Sequence, residues 1–260
     1  MALSGDDSTI VAGAPNNAGP PANPGAAYVF VKPVTGWATS STPTGKLSVT
    51  GSTNGVQLGK AVTLNTDGST IVVGVPNEGR CGSAQVFTQK GGTWANSSPP
   101  DATLTPNPCV NGMTFGSALA LSGDGKTLVV GDPNTTKGTA YVFTKVADDL
   151  WGTSNYPDTT LTPFSSENGD GVGTSVAVNT TGSTILVGSP GGKSSITGYI
   201  NSGVVYTFEQ HSVNLSNLVL TTATLNPSFT TNTLVYTATV ANNVASITVT
   251  PTVSDTTSTV

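Results

Sequence analysis

Thr127-Leu128-Val129-Val130-Gly131-Asp132-Pro133 is one of four variants of a single pattern in this chain. The others are Thr9-Ile10-Val11-Ala12-Gly13-Ala14-Pro15, Thr70-Ile71-Val72-Val73-Gly74-Val75-Pro76 and Thr184-Ile185-Leu186-Val187-Gly188-Ser189-Pro190, with prolines 61, 57 and 57 residues apart. A short unbroken apolar run reads as a strand covered on both sheet faces. The proline ends its ladder, because it donates no backbone hydrogen bond. Before each run stands a turn: Ser4-Gly5-Asp6-Asp7, Asn65-Thr66-Asp67-Gly68, Ser122-Gly123-Asp124-Gly125 and Asn179-Thr180-Thr181-Gly182. These residue types supply the positive-φ positions of a tight hairpin. After each run comes an aromatic strand: Ala27-Tyr28-Val29-Phe30, Ala84-Gln85-Val86-Phe87, Ala140-Tyr141-Val142-Phe143 and Val205-Tyr206-Thr207-Phe208.

Further columns share the register. The three tryptophans, Trp37, Trp94 and Trp151, are 57 residues apart, and so are Leu47, Leu104 and Leu161. Leu58-Gly59, Phe115-Gly116 and Val172-Gly173 recur at the same interval. Each unit therefore reads as four short antiparallel strands, in the third unit over residues 115–121, 127–132, 139–145 and 159–163. One such sheet cannot bury two apolar faces alone, whereas copies stacked around an axis cover one another. The pattern predicts an all-β chain. Residues 1–210 form a partial β-propeller of about four four-stranded antiparallel blades, with units about 1–49, 50–106, 107–163 and 164–210. The first and last units are incomplete: one has little of an innermost strand, the other lacks the Trp and Leu columns. Neither end completes the other, so more blades upstream are expected.

From His211 the pattern changes to apolar–polar alternation, as in Tyr236-Thr237-Ala238-Thr239-Val240 and Ile247-Thr248-Val249-Thr250-Pro251. Alternation means strands with one solvated face. Residues 211–260 are read as the start of a truncated β-sandwich, since such a domain takes roughly 100 residues.

The repeat resembles the FG-GAP repeat of integrin-type β-propellers. Phe115-Gly116 and Gly13-Ala14-Pro15 match its two name-giving motifs, and the glycines and prolines recur at Gly74, Pro76, Gly131, Pro133, Gly188 and Pro190. The likeness covers about residues 1–209. It departs at Leu58 and Val172 in the Phe column, and at Val75, Asp132 and Ser189 in the Ala column. The Leu-Ser-Gly-Asp-Gly turn and Tyr-Val-Phe strand resemble versions in secreted or surface proteins of bacteria and archaea. Segments after residue 213 resemble the cadherin-like sandwich domain of bacterial surface proteins. Some integrin repeats carry a calcium loop between their first two strands, but the turns here hold at most two carboxylates. Calcium takes roughly six to eight oxygens, so no metal is expected there.

Composition narrows the function. Charged residues make up 9% of the chain and its net charge is −5. A single arginine, Arg80, and scattered lysines do not form the basic patch that nucleic acid needs. No apolar run is long enough to span a membrane within this segment. Catalytic and cofactor-binding residues are not identified. His211 is the one histidine and reads as a linker residue. Gly188–Ser194 is one residue short of a phosphate loop. Paired carboxylates for glycoside cleavage are not excluded, although Asp6, Asp67 and Asp124 recur as turn residues. Cys81 precedes the third strand of the second unit, and Cys109 follows its fourth. Antiparallel neighbours place those ends on one rim, which predicts a disulfide worth about 3 kcal/mol, with two free thiols as the alternative; the bond suits an oxidising compartment.

The reading is a non-enzymatic, extracellular or cell-surface adhesion or scaffold module that binds protein or glycan through rim loops, with Asn16–Gly25 and Gly191–Gly203 the longest on one rim. A lectin-like propeller is the alternative, although Tyr199 is the single aromatic residue in those loops. A propeller lyase or glycosidase comes last.

Overall fold

A computed structural model describes residues 1–16, 24–39, 42–49, 51, 53–96, 99–145, 150–192, 202–210, 215–230 and 236–253. The chain divides into two compact units, Met1–Glu209 and Gln210–Val260. The first is a partial β-propeller. Its strands β1 (Ala2–Leu3), β2 (Thr9–Ala14), β3 (Ala26–Val31) and β4 (Gly45–Leu47) make one sheet in sequential order. The next sheet is β5 (Val62–Leu64), β6 (Thr70–Val75), β7 (Ser83–Thr88) and β8 (Ala102–Leu104). The third is β9 (Ala118–Leu121), β10 (Thr127–Asp132), β11 (Thr139–Thr144) and β12 (Thr159–Leu161). A three-stranded sheet follows, of β13 (Ser175–Val178), β14 (Thr184–Ser189) and β15 (Val204–Glu209). All pairings within these sheets are antiparallel.

The strands are shorter than the apolar pattern suggests. β9 begins at Ala118, and Phe115-Gly116 lies before it in a loop. The Phe115 N–H donates back to the Cys81 carbonyl of the preceding unit, 3.0 Å away, and Gly116 turns the chain at φ +93°. Hydrophobicity at residue 115 thus marks an insertion into the neighbouring blade and not a strand position.

Three buried apolar clusters lie at the three junctions. Val11, Ala27, Val29 and Leu47 of the first unit share a cluster with Ile71, Val73, Phe87 and Trp94 of the second. Val72, Val86 and Leu104 then meet Leu128, Val130, Phe143 and Trp151 of the third. Val129, Val142 and Leu161 meet Ile185 and Val187 of the fourth. The same columns pair each time, one residue out of phase along the strand, because successive side chains leave opposite faces. Burying each Val, Leu, Ile or Phe stabilises the fold by about 1.5–3 kcal/mol. Position in the arc decides how completely this happens. All six residues of β6 and of β10 are buried, whereas β2 and β14 are buried only in part.

The junctions close on glycine. A Cβ on Gly13 would stand 2.0 Å from the Gly59 carbonyl oxygen, one on Gly74 2.0 Å from that of Gly116, and one on Gly131 2.1 Å from that of Gly173. Gly59, Gly116 and Gly173 each donate in turn to the carbonyl of the Gly-X-Pro glycine of their own unit, Gly74, Gly131 and Gly188, at 3.0–3.2 Å. Leu58, Phe115 and Val172, fully buried, plug the gap beside each contact.

The second unit contains β16 (Leu215–Leu220) paired with β19 (Val249–Val253), and β17 (Leu225–Asn226) paired with β18 (Thr237–Ala238), both antiparallel. Phe229 and Tyr236 stack at 6.0 Å, and the Tyr236 hydroxyl donates to the Thr230 carbonyl at 2.6 Å. No helix among the described residues is long and apolar enough to cross a membrane.

Replacing Gly131 with Ala should lower the urea unfolding free energy by about 2–3 kcal/mol, the usual cost of forcing atoms into a packed junction. The control is Gly152→Ala, where the added methyl meets open space and stability should stay within about 0.5 kcal/mol. Equal unfolding midpoints for the two variants would remove the steric reading of the junction.

Candidate functional site

The two rims of the propeller unit differ in what their polar groups do. On one rim lie the hairpin turns. Asp6 accepts from the Ser4 hydroxyl (2.6 Å) and the Ser8 N–H (2.9 Å), and Asp124 from the Ser122 hydroxyl (2.5 Å) and the Lys126 N–H (3.0 Å). The Ser4 hydroxyl beside it, with the Ser8 N–H, holds the Asp6 carboxyl below its ordinary value. Backbone bonds link turn to turn around the arc, from Asp6 N–H to the Thr66 carbonyl, Thr66 N–H to Gly123 and Asp124 N–H to Thr180, at 2.9–3.0 Å. These carboxylates shape hairpins.

The tryptophans lie toward this same rim. Trp94 is 4% exposed and its Nε1–H donates to the Gly68 carbonyl at 2.9 Å. Trp151 is 7% exposed, and its Nε1–H has no partner among the described residues. Trp37 is 37% exposed; with Ile10, Phe30 and Val31 it borders a cavity of about 400 Å³, and its Nε1–H reaches Asp7 at 3.3 Å. Trp94 and Trp151 are sealed by the blade before them.

On the opposite rim the Gly-X-Pro segments open into loops, and here the units diverge. In the second unit Glu78 accepts from the Ser83 hydroxyl and from the Gln85 amide, and Gln85 accepts from the Thr103 hydroxyl at 2.7 Å. Gln85 is fully buried in a column that is Tyr in the other units, so this chain of polar bonds fixes the loop to the sheet. Cys81 and Cys109 form a disulfide on this rim, with a Cα–Cα distance of 5.4 Å. It ties the loop between β6 and β7 to the connection that leads to Phe115. In the fourth unit Asp170 accepts from the Glu167 N–H at 2.6 Å, and its carbonyl accepts from the Ser189 hydroxyl and the Gly191 N–H, both at 2.9 Å. Most of the loops Asn16–Gly25 and Gly191–Gly203, and both Tyr199 and His211, lie outside the described residues.

Asp132 is the chemically unusual group of this rim. It stands in the X position of Gly-X-Pro, where the other units have Ala14, Val75 and Ser189, and it is fully buried. Its Oδ1 accepts from the Thr114 N–H at 2.8 Å and the Thr114 hydroxyl at 3.3 Å, while Oδ2 has no partner among the described residues. Burial raises its pKa above the ordinary carboxylate value, outweighing the donors from Thr114 and Asn134. Burial, with the Asp132 charge behind it, pushes the Tyr141 hydroxyl up to about 12. In the sequence Asp132 is one of three departures from the Ala column of the repeat. A charge in an apolar column was the available signal, but its consequence depends on what surrounds it.

No family model matches the chain, and no curated protein matches it. Among solved structures the chain is similar to Chaetomium thermophilum Sqt1, at 15% identity and a TM-score of 0.42, covering 80% of this chain and 42% of that one. It is also similar to the Pseudomonas aeruginosa periplasmic gluconolactonase PpgL, at 13% identity and a TM-score of 0.47, covering 86% of this chain and 60% of that one. Both are β-propeller-like proteins, and the chain spans less than two thirds of the length of either. The expectation that the chain is not an enzyme is overturned by the second likeness. That protein is a gluconolactonase, an enzyme, and the architecture is neutral toward catalysis because loops and not strands carry chemistry.

Because the folded state holds the Asp132 proton more tightly than the unfolded chain does, its stabilising contribution is complete below the unfolded pKa of about 3.9. That contribution is lost as pH rises through the raised folded value. Asp132→Asn should therefore gain stability relative to the parent protein as pH rises from about 4 to 7 in urea melts. A difference that is constant with pH would show that the carboxylate is charged and satisfied.

Proposed function

We propose that this chain is an extracellular adhesion or scaffold module of FG-GAP type, which engages protein or glycan through the rim on which its Gly-X-Pro segments open. The observation that carries the reading is the contrast between the rims. Turns on one rim repeat one arrangement, in which the side-chain oxygen of Ser4, Asn65, Ser122 or Asn179 accepts the N–H of the threonine that opens the next strand. Loops on the other rim differ in length, charge and anchoring from unit to unit, while the Gly–Gly junctions beneath them repeat. Varied loops on a rigid repeated frame are where recognition concentrates. The Cys81–Cys109 disulfide supports an oxidising location, and residues 211–260 are read as a cadherin-like sandwich domain.

The test is a screen of the full chain against a glycan array and immobilised extracellular-matrix proteins, followed by loop replacement. Substituting residues 16–25 or 191–203 with short Gly/Ser linkers should weaken the ligand found by more than about tenfold, or about 1.4 kcal/mol. Thr181→Ala, in an exposed turn of the opposite rim, should leave binding unchanged. Absence of any ligand, or loss of binding only with the opposite-rim variant, would overturn the proposal; a glycan-only profile would make the module a lectin.

A further inference from the structure

The first three units finish their sheets alike, with a short fourth strand on the outer edge of the third. Leu47 lies opposite Ala27, Leu104 opposite Ala84 and Leu161 opposite Ala140. Each of these leucines is buried. The residue just before each fourth strand pins the end of the third with a side-chain oxygen. Thr44 Oγ1 accepts the Val31 N–H at 3.1 Å. Asp101 Oδ2 accepts both the N–H (2.7 Å) and the hydroxyl (2.8 Å) of Thr88. Asp158 Oδ2 does the same for Thr144, with the hydroxyl at 2.8 Å.

The fourth unit presents the same edge without the strand. β15 pairs with β14 on one side, and among the described residues no strand pairs with its other side. Val205 takes the register place of Ala27, Ala84 and Ala140 and is 65% exposed. Thr207, two residues on, is exposed as well. One feature separates this edge from the other three. Opposite the threonine that starts the second strand (Thr9, Thr70, Thr127, Thr184) stand Val31, Thr88, Thr144 and, in the fourth unit, Glu209. Where two units offer a hydroxyl to the incoming aspartate, this one offers a carboxylate, held by the Thr184 hydroxyl at 3.0 Å.

We propose that the outer edge of β15 is a docking site for an extended segment of another polypeptide with the pattern hydroxyl or cationic residue, then Gly, Ala or Thr, then any residue, then Leu. Main-chain bonds to the edge supply affinity and alternate side chains supply selection, as in strand addition generally. The leucine lies over Val205, continuing the column that seals the three completed blades. Glu209 excludes a carboxylate at the first position, because like charges placed side by side on a sheet are destabilising. The stretch Thr44-Gly45-Lys46-Leu47 is the fitting version of the pattern, and Asp158-Thr159-Thr160-Leu161 the excluded one.

The probe is a synthetic peptide of residues 42–49, titrated into the isotope-labelled full chain and followed through the amide signals of Val205, Thr207 and Glu209. Saturable shifts at these positions are expected. The same peptide carrying Thr44→Asp should bind at least about threefold more weakly, and one carrying Leu47→Asp should not shift them. In the Glu209→Thr protein the Thr44→Asp peptide should bind as well as the parent peptide or better, and Glu209→Gln serves the same comparison where that variant does not fold. No shift at β15 with the 42–49 peptide would overturn the docking site. Equal affinities for the two peptides, or a preference unchanged by substituting Glu209, would overturn the selection by charge.

Discussion

Neighbouring blades of this protein touch backbone to backbone, glycine against glycine, and the rest of the propeller unit depends on that approach. The Gly-X-Pro glycine of one unit faces the carbonyl of the Phe-Gly-type glycine of the next, at a separation that leaves no space for a Cβ. The second glycine bonds back to its own sheet. The contact therefore sets the distance between adjacent sheets and ties each loop to the blade behind it. It also explains which columns tolerate change. Leu58, Phe115 and Val172 need only fill an apolar gap, and they differ. The glycines beside them do not.

A fixed sheet spacing lets one set of side chains serve two different environments. Val72 and Val129 are buried because a further blade covers them, while Leu186, the equivalent residue of the fourth unit, is 40% exposed. Trp94 and Trp151 are sealed by the preceding blade and Trp37 is not. Covering by a neighbour, and not residue type, decides burial here, as expected for repeats that cannot bury both faces of a sheet alone.

The rims divide the remaining work. Turn carboxylates are consumed by local N–H and hydroxyl donors, the commonest use of Asp and Ser in tight turns. Loop carboxylates are used singly and differently: Glu78 braces a polar chain through Gln85, Asp170 organises its own loop, and Asp132 is buried with Oδ2 unpartnered among the described residues. A buried carboxylate of this kind costs stability unless it takes up a proton. That makes the junction between the second and third units responsive to pH in a way the others are not.

By itself the sequence determined the repeat, the strand identities and the hairpin turns. Each of those is written in residues close along the chain: an apolar run, a Gly-X-Pro stop, an Asn or Ser turn. Radial stacking also followed, since four sheets with two apolar faces each must cover one another. The tertiary structure alone decided the rest. Phe115-Gly116 looked like the start of a strand and is an insertion, because its partner, Cys81, is in another unit. Asp132 was one departure among three in the Ala column and is a fully buried acid, because Thr114, which bonds it, lies 18 residues away along the chain. Glu209 gave no signal until the register placed it against the position where Thr88 and Thr144 receive an aspartate. Local spacing reports what a segment forms, but what a side chain meets is set by the blade across the junction, which no short stretch of sequence contains.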